Sequence, residues 1–337
     1  MSAITAPMRR NLLGNRAALA PALVVVALIL LPLFASEYLQ YLVIQIVLLA
    51  LFALGWNLLF GYTGLLSFGQ AGFYGIGAYA CGKILLAYPS LIVGVIGGVL
   101  ASGIGALALG FLAVRNTRVY FSMVTLALGM MIHSAIWKWS DVTGGDDGLA
   151  GIPRAPLGFP GLPGIDVSSM GSYYYFVVIV GVLATYVFVR IVGSPFGLML
   201  TGIRDSETRM GFAGISVRNY RLAAFVIAGL YAGLAGALLA PLERTVTPTA
   251  VHWSNGAMPL LASLLGGTFS VSGPIVGAFL MIGIKDIIVR FTEYWLIWMG
   301  AIVVVLTMGF RGGIMSAVGD ILAARRKSPS AVRKKAA

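Results

Sequence analysis

The chain has few charged residues and almost no cysteine or histidine. Of its 337 residues only 10% are charged, whereas a soluble domain has about 25%. A single cysteine, Cys81, excludes an intrachain disulfide. The two histidines, His133 and His252, have no second His or Cys at the spacing of a metal site. These shortages argue against a metalloenzyme or a disulfide-stabilised domain.

Long apolar runs fill most of the sequence. Hydrophobic residues make up 59% of the chain and the mean hydropathy is +0.94. Many runs reach the ~20 residues that a helix needs to cross a bilayer. The sequence therefore predicts an all-α polytopic membrane protein with about ten transmembrane helices, including broken or re-entrant segments. The predicted spans are 17–35, 41–60, 70–88, 91–113, 119–139, 173–191, 222–241, 257–269, 272–289 and 295–310.

The net charge of +12 is distributed as in a membrane protein. Lys and Arg cluster before the first span, at 114–118, around 190–221 and in the tail, whereas the 140–172 loop is acidic. This positive-inside pattern predicts cytoplasmic termini and argues against nucleic acid as a partner. The first apolar run could belong to a cleaved signal peptide, but its length favours an uncleaved helix. The topology requires 257–269 to cross, and its shortness favours a broken or re-entrant helix buried by protein.

Two regions rich in small residues interrupt the predicted helices. One runs from Gly61 to Gly72 and the other from Leu264 to Pro274. Paired Gly/Pro-interrupted segments in two halves of a chain indicate a transport path. The polar residues at these breaks are candidates for lining it: Ser67, Gln70, Thr268 and Ser270. Ordinary hydrogen bonding between helices is the alternative explanation.

The sequence contains no recognisable catalytic motif. The stretch from Gly77 to Ile84 resembles a phosphate loop, but Ile84 stands where Ser or Thr must bind Mg²⁺. Charged residues, which usually couple ion flow to transport, are also scarce within the spans. We therefore expect no enzyme, no catalytic residue, and neither a metal nor a cofactor held by this chain. Any energy for transport would come from another subunit.

The most informative segment is a polar stretch at 194–217, SPFGLMLTGIRDSETRMGFAGISV, between two apolar spans. Arg204, Asp205, Glu207 and Arg209 fall within six residues, and Gly211 and Gly214 can end a short helix. Asp205 and Arg209 are four residues apart, so a helix would let them pair. The pattern predicts either a docking helix for a soluble partner or an interfacial helix that has no partner.

Four stretches resemble one known family, the LivM-type permease subunits of branched-chain amino acid ABC importers. They are GYTGLLSFGQAGFYGIGAYA (Gly61–Ala80), TGGDDGLAGIP (Thr143–Pro153), the SPFG…GIRDSETRMGFAGISV…YRLAAFVIAGLYAGLAGAL stretch (Ser194–Leu238) and GGTFSVSGPIVGAF (Gly266–Phe279). The resemblance covers the chain up to about Ala323. Leu198 and Met210 depart from the family pattern, which often has Arg and Ala at these positions.

The resemblance implies an assembly in a prokaryotic inner membrane. A homologous second permease, two cytoplasmic ATPases that carry ATP and Mg²⁺, and an extracytoplasmic substrate-binding protein would join this chain. Residues 1–16 would form a cytoplasmic segment, 17–310 the permease domain and 311–337 a basic cytoplasmic tail. ATPase closure would push on the docking helix, with Arg204, Asp205, Glu207, Arg209 and Gly214, and alternate the opening of a path. The substrate would be Leu, Ile and Val.

Several alternatives to this function remain open at the level of sequence. Permeases for urea or short amides are very similar, and ribose-type sugar permeases are more distant. An ion-coupled carrier or a channel would transport without ATP, and a membrane enzyme would need a polar cluster facing one cavity.

Overall fold

The computed structural model describes residues 26–116, 118–158, 166–268, 270–309 and 313–315. The predicted N-terminal segment 1–16, the first part of the span 17–35 and most of the tail 311–337 lie outside the described residues. The assignment of these three segments stays a prediction.

Helices account for most of the described chain. Helix α1 is described over residues 26–34. Then follow α2 (Glu37–Asn57), which continues as a π-helix (Leu58–Thr63), α3 (Gln70–Ala87), α4 (Leu91–Ala113), α5 (Arg118–Lys138), α6 (Ser140–Thr143), α7 (Met170–Val192), α8 (Pro195–Asp205), α9 (Glu207–Phe212), α10 (Val217–Glu243), a 3₁₀ turn (Pro248–Val251), α11 (Trp253–Gly266), α12 (Ser272–Val289) and α13 (Trp295–Gly309). Two short strands, β1 (Leu149–Ala150) and β2 (Thr245–Val246), pair antiparallel.

Six helices in the described residues are long and apolar enough to cross a membrane. They are Glu37–Thr63, Leu91–Ala113, Val119–Lys138, Met170–Val192, Val217–Glu243 and Ser272–Val289. The all-α polytopic membrane class fits this structure, but the predicted count of ten spans is not confirmed. Helix α11, in the predicted span 257–269, has 14 residues and is about 21 Å long, less than the ~30 Å hydrocarbon core of a bilayer.

Small residues let α3, α4 and α10 form the centre of the bundle. A Cβ added at Gly77 would overlap the backbone of Gly233, and one at Gly236 would overlap the carbonyl oxygen of Tyr74. The Ser102 hydroxyl of α4 donates to the carbonyls of Phe73 (2.9 Å) and Gly229 (2.8 Å). Close backbone approach with hydrogen bonds is the usual way in which helices associate without a hydrophobic driving force.

The helix ends gather into two groups. At the Glu243 end, the Tyr41 hydroxyl donates to Glu243 Oε1 (2.7 Å), and Tyr38 contacts Asp286. Here the Arg154 guanidinium donates to the carbonyls of Pro241 (3.1 Å) and Leu242 (3.2 Å). Burial and the nearby Arg244 lower the pKa of Arg154. The Arg204 end lies at the other end of α10 and carries α8, α9 and the π-helix. Helix α10 thus joins the two ends.

Candidate functional site

The polar segment 194–217 forms two short helices. Pro195 begins α8, where its missing N–H costs no hydrogen bond. Helix α8 buries Gly197, Leu200 and Ile203, whereas none of the α9 residues is buried. Phe212 at the end of α9 is 89% exposed. We call residues 194–217 the docking segment, since one half is anchored on the bundle and the other half is open to contact.

Two details of the predicted docking helix are wrong. The single short helix around Arg204–Gly214 is broken at Ser206, whose backbone is extended and whose hydroxyl accepts from the Arg209 N–H (3.4 Å). Because the break removes the helical register, the predicted pair of Asp205 with Arg209 is not among the ion pairs of the described residues. Asp205 instead lies 3.4 Å from the Arg204 guanidinium. Gly214 follows α9 with φ +79°, in the left-handed region that favours glycine.

A second ion pair ties α9 to α10. The Arg221 guanidinium, which is 4% exposed, pairs with the Glu207 carboxylate. A nearly buried charge requires such a partner. Arg221 was not among the predicted site residues, because the two members of the pair are 14 residues apart on different helices.

Arg204 connects the docking segment to the bundle. Its Nη1 donates to the Gly61 carbonyl oxygen at 2.6 Å. Its Cγ would lie 3.0 Å from a Cβ at Gly64, where φ is +73°. Gly61 belongs to the π-helix, and π-helical turns are frequent at functional sites. Because of this hydrogen bond, a displacement of α8 would pull directly on the backbone at the end of α2.

The two predicted breaks contact each other. The first interruption comprises residues 58–69, between α2 and α3, and the second comprises 267–271, between α11 and α12. A Cβ at Gly61 would overlap the Thr268 carbonyl oxygen. The Asn57 amide donates to the Ser270 carbonyl oxygen at 3.4 Å. The prediction that small-residue breaks interrupt helices in both halves is confirmed by the helix bounds.

The four predicted path residues fall into two groups. Ser67 and Gln70 are each 1% exposed. Within the described chain, the Ser67 hydroxyl and both polar atoms of the Gln70 amide make no hydrogen bond, and neither does Asn57 Oδ1. By contrast, the Ser270 hydroxyl accepts from the Gly273 N–H (3.0 Å) and donates to the Gly267 carbonyl (3.3 Å). Thr268 is buried and contributes its backbone carbonyl to the contact with Gly61.

The buried polar atoms of Asn57, Ser67 and Gln70 that lack a partner in the described residues are energetically unusual. A buried polar atom that lacks a partner costs about 1–3 kcal/mol. Such atoms are normally satisfied by protein, water or a ligand. Asn57 could have been singled out from the sequence as an amide within an apolar span. Its hydrogen bond to Ser270 could be found only from the fold, because Ser270 lies 213 residues further along the chain.

Metal-ligating side chains do not cluster in the described part of the chain. No group of three or more His, Cys, Asp or Glu residues is found among these residues. His133 and His252 meet edge to face, with ring centroids 5.4 Å apart. Cys81 is buried.

Comparisons with known proteins identify the family. Residues 38–310 match the family described as branched-chain amino acid transport system / permease component. The high-affinity branched-chain amino acid transport system permease protein LivM of Escherichia coli is 30% identical over 78% of this chain and 66% of its own length. LivM of Salmonella typhimurium is 28% identical over the same shares. The probable permease LivH of Methanocaldococcus jannaschii is 26% identical over 72% of this chain and 78% of its own length.

The match to the first two relatives thus spans slightly less than two thirds of their length. No solved structure matches the chain. The family match covers most of the chain, including both interruptions and the docking segment. The chain therefore belongs to the family of branched-chain amino acid transport system permease components.

Proposed function

We propose that this chain is the transmembrane permease subunit of an ATP-driven importer for leucine, isoleucine and valine. A homologous second permease, two cytoplasmic ATPases and an extracytoplasmic substrate-binding protein complete the assembly. The chain spans the inner membrane of a prokaryote with both termini in the cytoplasm. It holds no cofactor of its own, and ATP and Mg²⁺ bind the ATPases. The names of the LivM and LivH relatives support the substrate class and the second permease.

The contact between Arg204 and Gly61 carries the mechanism. The exposed α9 offers Phe212 and the charge of Arg209 to a groove on the ATPase, while Glu207 is held by Arg221. When the ATPases close, they displace the docking segment. Arg204 passes this movement to the first interruption, and Arg221 passes it to α10. The two interruptions then change their mutual packing, and the path beside Ser67 and Gln70 alternates its opening.

The path runs past the polar residues at the interruptions. Ser67 and Gln70 offer unpaired polar atoms to a passing solute. Thr268 and Ser270 shape the opposite wall through their backbone. The path needs no charged residue of its own if the binding protein sets the choice of substrate.

Coupling is tested by the triple variant Arg204→Ala, Asp205→Ala, Glu207→Ala in the assembled transporter. ATP hydrolysis should persist while labelled-leucine uptake into vesicles falls at least tenfold, because the ATPase no longer moves the first interruption. Lys83→Ala, in α3 and away from the docking segment, is the control and should transport normally. Unchanged ATP-dependent uptake in the triple variant would refute the docking role.

Substrate class is tested by uptake of labelled leucine and labelled urea in cells with and without the chain. Loss of leucine uptake alone is the expected result. Loss of urea uptake alone would move the chain to the urea and short-amide importers with the same mechanism. Leucine transport by the lone chain in ATP-free vesicles would instead identify an ion-coupled carrier or a channel.

A further inference from the structure

Two arginine side chains contact one aromatic ring at the Arg204 end of the bundle. The guanidinium carbon of Arg115 lies 4.8 Å from the centre of the Phe111 ring, and that of Arg218 lies 4.7 Å from the same centre. Phe111 is in the last turn of α4, Arg115 follows that helix, and Arg218 is in the first turn of α10. We call Arg115 and Arg218 the arginine pair.

Both members of the arginine pair are able to bind an anion. A guanidinium group that contacts an aromatic face still has N–H donors for phosphate oxygens. Both arginines are exposed, and among the described residues neither forms an ion pair with a carboxylate. The arginine pair therefore carries two positive charges that no described carboxylate balances.

The start of α10 adds to the positive potential beside the arginine pair. The first N–H groups of a helix have no partner within the helix, and the N-terminus carries the positive end of the helix dipole. Helix α10 has 27 residues, and its N-cap residue Ser216 makes no capping bond with its side chain. Backbone donors and two guanidinium groups together favour a phosphate as the anion.

Five exposed apolar residues of α4 form a stripe that ends at this site. They are Ile96, Leu100, Ile104, Leu107 and Phe111. Their spacing of three or four residues places them on one face of the helix. At 1.5 Å per residue the stripe is about 22 Å long, which is enough for an acyl chain that fills one half of the ~30 Å hydrocarbon core.

The arginine pair and the stripe match the two parts of a phospholipid. A soluble phosphate would satisfy the arginines but would leave the apolar stripe uncovered. An uncharged lipid would cover the stripe but would leave both positive charges unbalanced. Basic clusters at the cytoplasmic ends of membrane helices attract anionic headgroups. The function proposed above places the Arg204 end at the cytoplasmic face, so the assignment to that leaflet rests on it.

We propose that Arg115 and Arg218 bind the phosphate of an anionic phospholipid whose acyl chain lies along the α4 stripe. Phe111 is the positioning residue, because its ring holds the two guanidinium groups at the end of the stripe. The site is separate from the proposed path and from the exposed helix α9.

The test is photocrosslinking in the complete transporter, placed in nanodiscs of equimolar phosphatidylglycerol and phosphatidylcholine with the same acyl chains. Leu107, one turn before Phe111 on the stripe, is replaced by p-benzoylphenylalanine, and mass spectrometry identifies the crosslinked lipid. We expect phosphatidylglycerol to be enriched roughly tenfold over its bulk share, the order that two basic side chains near an anionic headgroup imply. Arg115→Gln with Arg218→Gln should return the crosslinks to the bulk ratio.

Matched controls separate this site from the general basic charge at the same end. Arg190→Gln removes an exposed arginine at the end of α7 and should keep the enrichment. The same photoreactive residue at Leu183, which is exposed on α7, should report the bulk ratio. Added KCl should lower the enrichment in the unchanged protein, because salt screens exposed charges, and this measurement needs no arginine variant.

Three results would overturn the site. Crosslinks at the bulk lipid ratio with the arginine pair intact would show no anionic preference. Crosslinks to a protein chain would make the stripe an interface between subunits. A loss of enrichment in inorganic phosphate, but not in KCl of equal ionic strength, would assign the arginines to a soluble anion.

Leucine uptake by the unchanged transporter distinguishes this proposal from the proposed function. If leucine is imported and phosphatidylglycerol is not enriched, only the lipid site fails. If phosphatidylglycerol is enriched and the transporter imports no leucine, the proposed function fails and the lipid site stands.

Discussion

The two helix interruptions differ in length, in hydrogen bonding and in their contact with the docking segment. The first is long, includes a π-helical turn, holds unpaired polar atoms and is bonded to the docking segment through Arg204. The second is short and satisfies its own hydrogen bonds through Ser270. It is also packed backbone against backbone, since a Cβ at Gly266 would overlap the Gly273 carbonyl oxygen. The first interruption thus carries buried polar atoms that have no partner in the described residues and is bonded to the docking segment, whereas the second is closed by its own hydrogen bonds.

The largest effect is expected when the second interruption is overfilled. A Cβ at Gly273 would overlap the Gly267 carbonyl and lie 2.8 Å from Ser270 Oγ. Gly273→Ala should therefore lower the free energy of unfolding by about 3 kcal/mol, the upper end of the usual range for overpacking, measured by thermal unfolding in detergent, and reduce uptake. Gly283→Ala in the same helix is the control, because its Cβ would meet nothing within 4 Å. Equal melting temperatures for the two variants would contradict the tight packing.

The next effect is expected at the contact between Arg204 and Gly61. Arg204→Gln removes a bond from a charged donor that is worth about 1.5–3 kcal/mol. Amide hydrogen exchange in the first interruption should accelerate by roughly ten- to a hundredfold, while exchange at 270–273 stays unchanged. Arg209→Gln in the exposed α9 should alter neither region. Uniform acceleration across both interruptions would mean that they form one unit.

A smaller effect is expected when the bonds of the second interruption are removed. Ser270→Ala loses one bond donated by the Gly273 N–H and one donated to the Gly267 carbonyl. The expected loss in the free energy of unfolding is about 1 kcal/mol, read from chemical denaturation in detergent. A variant as stable as the unchanged protein would show that the serine does not hold this turn.

The smallest effect on stability is expected at Ser67. Its hydroxyl is buried and makes no hydrogen bond within the described residues. Ser67→Ala should therefore cost no stability, because the hydroxyl that it removes is buried without a partner in the described residues, while leucine uptake falls. A loss of stability with unchanged uptake would assign the hydroxyl to packing instead of transport.

Local sequence patterns predicted much of this structure, whereas contacts between residues far apart in the sequence were not predicted. The length of the apolar runs indicated the helical membrane class, and small residues indicated the position of both breaks. The family match confirms the predicted family and, because its members are permease components, the prediction that this chain is not an enzyme. The Asp205–Arg209 pair was wrong because one residue, Ser206, leaves the helical conformation and starts a new helix.

The contacts within the candidate site could not be predicted from the spacing of residues in the sequence. Arg204 reaches Gly61 across 143 residues, and Asn57 reaches Ser270 across 213. Each contact depends on how several helices cross, which the packing of α2, α3 and α10 decides. The predicted count of ten spans is not confirmed, because six helices of the described residues are long and apolar enough to cross and α11 has only 14 residues.

The exposed helix α9 has a consequence for assembly. Six residues without burial are too few to hold a helix in water by themselves. The Ser206 hydroxyl and the pair between Glu207 and Arg221 nevertheless hold this one in shape before any partner arrives. The conformational entropy of ordering it is thus lost during folding of the subunit and not during docking. A partner would meet a preorganised surface, so affinity for it is gained without enlarging the interface.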